Sequence, residues 1–228
     1  GMLMAAPLLG EGFVCILMAS PLFFVVGVAI GKLIDLSRRE SKRTTITGML
    51  LLAFLPMSFE GTSEWLSFPR EETVMAEQVV AASAGDVERA LAEPLNMEEP
   101  LPLFLRAGFP SPMGAEGEGL RVGDQRTIHF PGGEGFTGDL VLEVAEVGAD
   151  FVRFRFVSDQ SMIGRWLTWR ASEVHWNAIG ANHTRVTWTL SYRRNLDPAW
   201  YFGPWERYGV GLAAEHLIRA NATPEIPK

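Results

Sequence analysis

HTRVTWTLSYRR, residues 183–194, alternates without interruption. Val186, Trp188, Leu190 and Tyr192 fall on one face, and Arg185, Thr187, Thr189 and Arg193 fall on the other. A period of two carried by β-branched and aromatic residues predicts a strand with one face buried and the other wet. Reading backwards from it, the same pattern recurs. Residues 165–178 form a long strand, 151–159 (FVRFRFVSD) another, 138–147 (GDLVLEVAEV) a third and 120–130 (LRVGDQRTIHF) a fourth. Gly180-Ala181-Asn182, Gly148-Ala149-Asp150 and the glycine-rich 131–135 supply turns between them. Five successive strands with mostly short connections predict an antiparallel meander.

The flanks complete the order. Upstream, residues 73–82 (TVMAEQVVAA) read as a strand, and Ser83 to Asp86 is a helix start leading into VERALAEPL. A second short helix, 103–109, follows Pro100 and Pro102, and 109–119 read as a loop of Gly, Pro and Ser. Downstream, Asp197-Pro198 supplies an N-cap with proline at the first helical position. Gly203-Pro204 is expected to break that turn and restart a helix running to about residue 220. Trp205, Tyr208, Leu212, His216 and Ala220 recur at three- and four-residue spacing and predict its apolar face.

A curved antiparallel sheet has one face to bury, and the closing helix is the long element left to cover it. A helix laid across such a sheet leaves a cavity between them. The order of elements, with AEQVVAASAGDVERALAEP at 76–94, GLRVGDQRTIHF at 119–130, HTRVTWTLSYRR and the closing helix, resembles the START-like, helix-grip (SRPBCC) superfamily over about residues 72–221. The polyketide cyclase/dehydrase and lipid-transport type is the most similar. The resemblance implies an α+β helix-grip fold, a curved antiparallel β-sheet wrapped on a long C-terminal helix. It also implies a hydrophobic small molecule or lipid held in the cavity. It implies no catalytic signature, since fold does not give function.

Alternation nominates the residues that line such a cavity. Leu140 and Leu142, Phe154 and Phe156, and Trp188, Leu190 and Tyr192 share the apolar faces of their strands, and Tyr208, Leu212 and His216 lie on the helix stripe. The strand 165–178 is ambiguous. One face carries Arg170 beside Thr168, Ser172, Val174 and Trp176, and the other carries Glu173 and His175 beside Leu167 and Trp169. Either choice turns a charge inward, where it needs a partner. Arg170 can grip a ligand carboxylate or phosphate through its planar fork, pair with an acidic side chain, or sit at the sheet rim. His216 can act as an acid or base near neutral pH, or be a hydrogen-bonded core histidine.

The N-terminal part is different in kind. Residues 12–31 run for twenty positions without a charge, and 44–59 for sixteen. The first matches the hydrocarbon thickness of a bilayer, about 30 Å at roughly 1.5 Å per residue. Between them sit Lys32, Arg38, Arg39, Lys42 and Arg43, whereas no basic residue precedes residue 12 and none occurs from Glu60 to Pro69. The positive-inside rule then predicts a two-helix membrane anchor over 1–60 with a cytoplasmic loop, a linker at 61–71, and a domain at 72–221 on the outer, extracytoplasmic side, followed by a tail at 222–228. The chain opens on Gly1 rather than Met, which fits a segment cut from a longer membrane protein. Any spans upstream would change that topology.

Composition excludes several functions. Residues 1–60 hold five basic and four acidic side chains, leaving fifteen basic and twenty-three acidic ones in the remainder. That acidic balance is unsuited to a nucleic-acid surface. The single cysteine, Cys15, permits no intramolecular disulfide and no cysteine-based metal site. The four histidines lack metal-ligand spacing, and no HExxH, GxSxG or phosphate-binding loop occurs, so no metal or cofactor is expected. Asn182 and Asn221 each begin a glycosylation sequon of the kind that arises by chance. Three functions stay open: a membrane-tethered binding module for a hydrophobic ligand, a cyclase- or dehydratase-type enzyme, and an interaction domain whose cavity is filled by its own aromatic side chains.

Overall fold

A computed structural model describes residues 20–35 in part, 60, 68–106, 109–132 and 138–224. Two compact units divide the chain, Gly1–Phe68 with Asp197–Trp200, and Pro69–Leu196 with Tyr201–Lys228. In the first unit, the described positions between Ser20 and Asp35 are helical, and Phe23, Phe24 and Ile30 are exposed there. The second apolar run and much of the first lie outside the described residues. Among the described residues no helix is long and apolar enough to cross a membrane.

The second unit is built on strands β1 (Glu71–Val80), β2 (Gly114–Glu116), β3 (Gln125–His129), β4 (Asp139–Val147), β5 (Phe151–Asp159), β6 (Leu167–Gly180) and β7 (His183–Arg194). Helix α1 (Ala84–Ala92) and the single turn α2 (Leu103–Arg106) interrupt the strands after β1, and α3 (Ala199–Asn221) closes the chain. The seven strands form one sheet in the order β1-β7-β6-β5-β4-β3-β2, every pair antiparallel. Strands β3 to β7, residues 125–194, thus give the expected meander, and β1 returns to pair with β7 from Glu71↔Arg193 to Val80↔Thr184. A curved antiparallel sheet with one long C-terminal helix fits the helix-grip α+β arrangement.

Local chemistry explains the joints. Ser83 caps α1 by accepting the Asp86 N–H at 3.2 Å, while its hydroxyl donates to the Asp86 carboxylate at 2.7 Å. Val87 and Leu91, four residues apart, bury the inner face of α1. The buried Thr184 hydroxyl donates to Ala82 O at 2.8 Å and ties the start of β7 to the end of β1. Residues 120–124, read as strand from sequence, form a turn instead, in which Arg121 N–H donates to the Asp124 carboxylate at 2.8 Å. The stretch read as a loop contains β2, paired with β3. Gly117, with φ +92, follows it because a Cβ there would stand 2.1 Å from Gln125 O. No break occurs at Gly203-Pro204. The helix runs through Pro204 at the cost of one intrahelical hydrogen bond.

The core lies between the inner face of the sheet and α3. Val144, Val152, Val174, Val186 and Ile218 are fully buried, each contributing about 1.5–3 kcal/mol by leaving water. Around α3, Val210, Ala214 and Ile218 join this core, while Trp205 and Tyr208 are exposed. The stripe read from the sequence is therefore rotated away from the face that buries. Small residues make the contact instead: a Cβ on Gly211 would lie 3.6 Å from Val74 Cγ1.

Candidate functional site

Strand β6 resolves its own ambiguity with a register shift between Trp169 and Ala171. Trp169 pairs with Tyr192, but Ala171 pairs with Ser191 and Ser172 with Leu190, so Arg170 is the extra residue. Alternation changes parity there. Leu167 and Trp169 point inward before the bulge, and Ser172, Val174 and Trp176 point inward after it. No charged side chain of β6 has to face the core.

Arg170 is consequently a correction to the sequence reading. Its side chain is 48% exposed, and it makes a two-pronged pair with Glu71, Nη2 to Oε1 at 2.9 Å and Nε to Oε2 at 3.2 Å. It belongs to a lattice of ion pairs on the outer face, with Arg153 bridging Glu146 and Glu173, Arg155 on Glu143, and Arg185 on Glu77. Three further nominations shift with the helix stripe. Tyr208 is exposed, Leu212 is half-buried, and His216 lies roughly 160° around α3 from Ala214 at 100° per residue. None of the three points at the sheet.

His216 is buried all the same, on the flank of α3 that segment 95–106 covers. There the Asn221 side chain accepts Asn96 N–H at 2.7 Å, Arg219 stands 3.7 Å from Glu99, and Gly209 approaches Phe104. Burial pushes the imidazole below its ordinary range, with Glu99 pulling the other way and Arg219 adding to the depression. Its Nδ1 has no hydrogen-bond partner among the described residues.

The remaining nominations, Leu140, Leu142, Phe154, Trp188, Leu190 and Tyr192, are buried on the inner face, and Phe156 is half-buried beside them. Two inner-face residues that sequence reading did not nominate join them in one row across the sheet. Tyr192 on β7 pairs with Trp169 on β6, whose ring stacks on Phe156 of β5 at 5.5 Å. Phe156 pairs with Leu142 on β4, and Leu142 pairs with Arg126 on β3. The signal for Arg126 was present, since Ile128 and Phe130 share its parity and are buried. Trp169 was hidden by the bulge.

Some polar groups on this face are matched inside the protein: the Trp188 indole N–H donates to Ser172 Oγ at 2.9 Å. In the row, Tyr192 Oη, Trp169 Nε1 and Arg126 Nε are buried and have no hydrogen-bond partner among the described residues. Burial, then the Glu206 and Glu72 carboxylates, raise the Tyr192 phenol above its ordinary range, so it stays neutral and can both donate and accept. Burial pushes Arg126 down to about 10 against the pull of Asp124, which leaves it a cation at neutral pH. Its Nη2 donates to Leu91 O at 2.5 Å and Gly119 O at 3.0 Å, and the guanidinium lies 5.2 Å from the Phe154 ring centroid.

Among the described residues, no group of three His, Cys, Asp or Glu side chains is placed to hold a metal ion. The row offers hydrogen bonds, an aromatic floor and one buried positive charge.

No family model matches this chain, and no curated protein matches it. Solved structures do. A START superfamily protein from Mycobacterium smegmatis is 15% identical, aligned over 65% of this chain and 92% of its own, with a TM-score of 0.44. A Streptomyces aromatase/cyclase is 17% identical over 67% of this chain and 89% of its own, with a TM-score of 0.43. Norcoclaurine synthase from Thalictrum flavum is 18% identical over 65% of this chain and 85% of its own, with a TM-score of 0.43. Likenesses this distant carry no chemistry to this chain.

Proposed function

We propose that this chain is a binding module for a hydrophobic small molecule or lipid, held between the inner face of the sheet and α3. The observation that carries the reading is the pair Tyr192 and Trp169. Their rings meet edge to face at 6.2 Å, and each keeps a buried polar atom without a protein partner. An unmatched hydroxyl or indole N–H in a core costs about 1–3 kcal/mol, and a ligand carbonyl or hydroxyl removes that cost. The flat, half-buried faces of Phe156 and Trp169 suit an apolar body beside it.

The apolar runs at 12–31 and 44–59 support a membrane tether in this proposal, with the domain on the extracytoplasmic side. The exposed helical Phe23 and Phe24 support the same reading, as apolar surface that lipid would cover. In the second unit, Leu103, Trp205 and Tyr208 are exposed, and Phe104 stacks on Trp205 at 6.3 Å. Aromatic rings with a polar edge suit the depth of a bilayer interface.

The test is native mass spectrometry of the full chain released from neutral detergent, followed by solvent extraction. A stoichiometric lipid-like adduct that Tyr192→Phe and Trp169→Phe both weaken supports the module. A clean mass, together with wild-type affinity for apolar probes in both variants, sinks it in favour of a self-filled interior. Vesicle flotation, and protease access from the extracytoplasmic side, test the tether and its orientation separately.

A further inference from the structure

We infer that the ligand of this module carries an anionic head group, a carboxylate being the simplest, and that Arg126 receives it. This rests on the binding reading above and names the chemistry of its ligand. Arg126 is 3% exposed and points into the core from β3. The acceptors the structure gives its guanidinium are backbone carbonyls, both on Nη2, and Nε is buried with none. Asp124, the carboxylate that acts on it electrostatically, is engaged by Arg121 N–H at 2.8 Å in the turn before β3. The positive charge is thus held in the interior by dipoles and the Phe154 ring, and among the described residues no carboxylate is in an ion pair with it. A buried charge of this kind is stabilised strongly by an anion brought to it out of water.

Its place in the row adds the second half of the argument. From Tyr192 to Arg126 the row crosses from β7 to β3, four strand spacings or roughly 19 Å. Between the two ends lie Trp169, Phe156 and Leu142. A ligand with a charged head at Arg126 would lay its apolar body along these side chains and reach the neutral hydrogen-bonding pair at the far end. The outer-face arginines cannot serve, since Arg153, Arg155, Arg170 and Arg185 already hold carboxylates on the other side of the sheet.

The experiment uses ω-bromododecanoate and ω-bromododecanol, equal in chain length and different in charge. Each is titrated into the full 228-residue chain in neutral detergent at about pH 8, where the acid is ionised. Binding is read by bromine quenching of tryptophan fluorescence. The wild type should bind the acid about tenfold or more tightly than the alcohol, the scale of one charge-assisted hydrogen bond. Arg126→Gln should bring the two within about twofold by weakening the acid alone, and Arg170→Ala should keep the full preference. Equal affinities in the wild type overturn the inference without any variant, so misfolding of Arg126→Gln cannot shelter it. A preference that survives Arg126→Gln overturns it as well. Saturable binding of the alcohol with no acid preference leaves the binding module standing and removes only the anion. Failure of both probes removes the module too.

Discussion

Tyr192→Phe should stabilise the ligand-free protein, against the usual direction of a core substitution. The side chain is fully buried and its hydroxyl has no partner. Leaving such a group unmatched costs about 1–3 kcal/mol. Phenylalanine removes that cost and keeps the ring, including its edge-to-face contact with Trp169 at 6.2 Å. The oxygen-sized gap returns part of the gain, so the net expectation is about 1 kcal/mol, or roughly 2–4 °C in the midpoint for a domain of this size. Ser172→Ala supplies the control of opposite sign. It also deletes a buried hydroxyl, but one that accepts the Trp188 indole N–H at 2.9 Å, so it strands a donor and should lose about 1–3 kcal/mol. Both are measured by urea unfolding of delipidated full chain in neutral detergent, followed by near-ultraviolet circular dichroism. A loss of about 1 kcal/mol or more in Tyr192→Phe would mean that the hydroxyl is satisfied within the protein, and the argument from unmatched atoms would fail.

Ile218→Ala, at a fully buried position of α3, should cost about 2–5 kcal/mol in the same assay; a cost below about 1 kcal/mol would show that α3 is not packed on the sheet as described. Because burial holds His216 below its ordinary range, the unfolded chain takes up the proton first as pH falls below about 6.5, so stability is full above that pH and declines below it, by at most about 1.4 kcal/mol per unit. His216→Gln should flatten that decline between about pH 7 and pH 5.5, and identical slopes in both proteins would clear His216 of the effect. Arg170→Ala should leave binding of apolar probes unchanged, since its partner is Glu71 on the outer face; weakened binding would return Arg170 to the site.

What the sequence made legible follows the reach of periodicity. Leu140, Leu142, Phe154, Trp188, Leu190 and Tyr192 are buried on the face that alternation assigned; β7 alternates throughout, and the extra residues of the β4–β5 pair, Ala145 and Val157, lie beyond the residues named there. The same rule failed in β6, because one extra residue at Arg170 reverses the parity of everything beyond it. A bulge has no local signature here, neither glycine nor proline. What the sequence did record was its consequence, a strand in which either face seemed to carry a charge. The helix was misread for a different reason. Trp205 and Tyr208 are the bulkiest apolar side chains in its pattern, yet the close fit to the sheet is made by Gly211, Val210 and Ala214, since small residues let the helix approach Val74. Bulk marked the outer side of α3, where Phe104 and Tyr208 meet edge to face at 5.0 Å.

Under the proposed function, the distribution of hydrogen bonds inside the sheet distinguishes the row from an ordinary core. A core closed on itself has every reason to match its polar groups, and most of this one does: Ser172 serves Trp188, Thr184 serves Ala82, and Asn221 takes the Asn96 N–H while giving its own to Leu217. Outside the row, Asp159 leaves one oxygen unmatched while the other accepts from Ser161, and His216 Nδ1 lies on the far flank of α3; buried atoms of Arg194 and Glu206 also lack a hydrogen bond, although both side chains have other interactions. Within the row every polar side chain, Tyr192, Trp169 and Arg126, keeps a buried atom without a protein partner, and the residues between them are apolar. Phenylalanine or leucine at 192 and 169 would fill the same space without that cost, so packing alone gives no reason for the hydroxyl or the indole N–H. A ligand that is apolar along its length and polar at its ends supplies one, and its removal should be felt first at Tyr192 and Arg126.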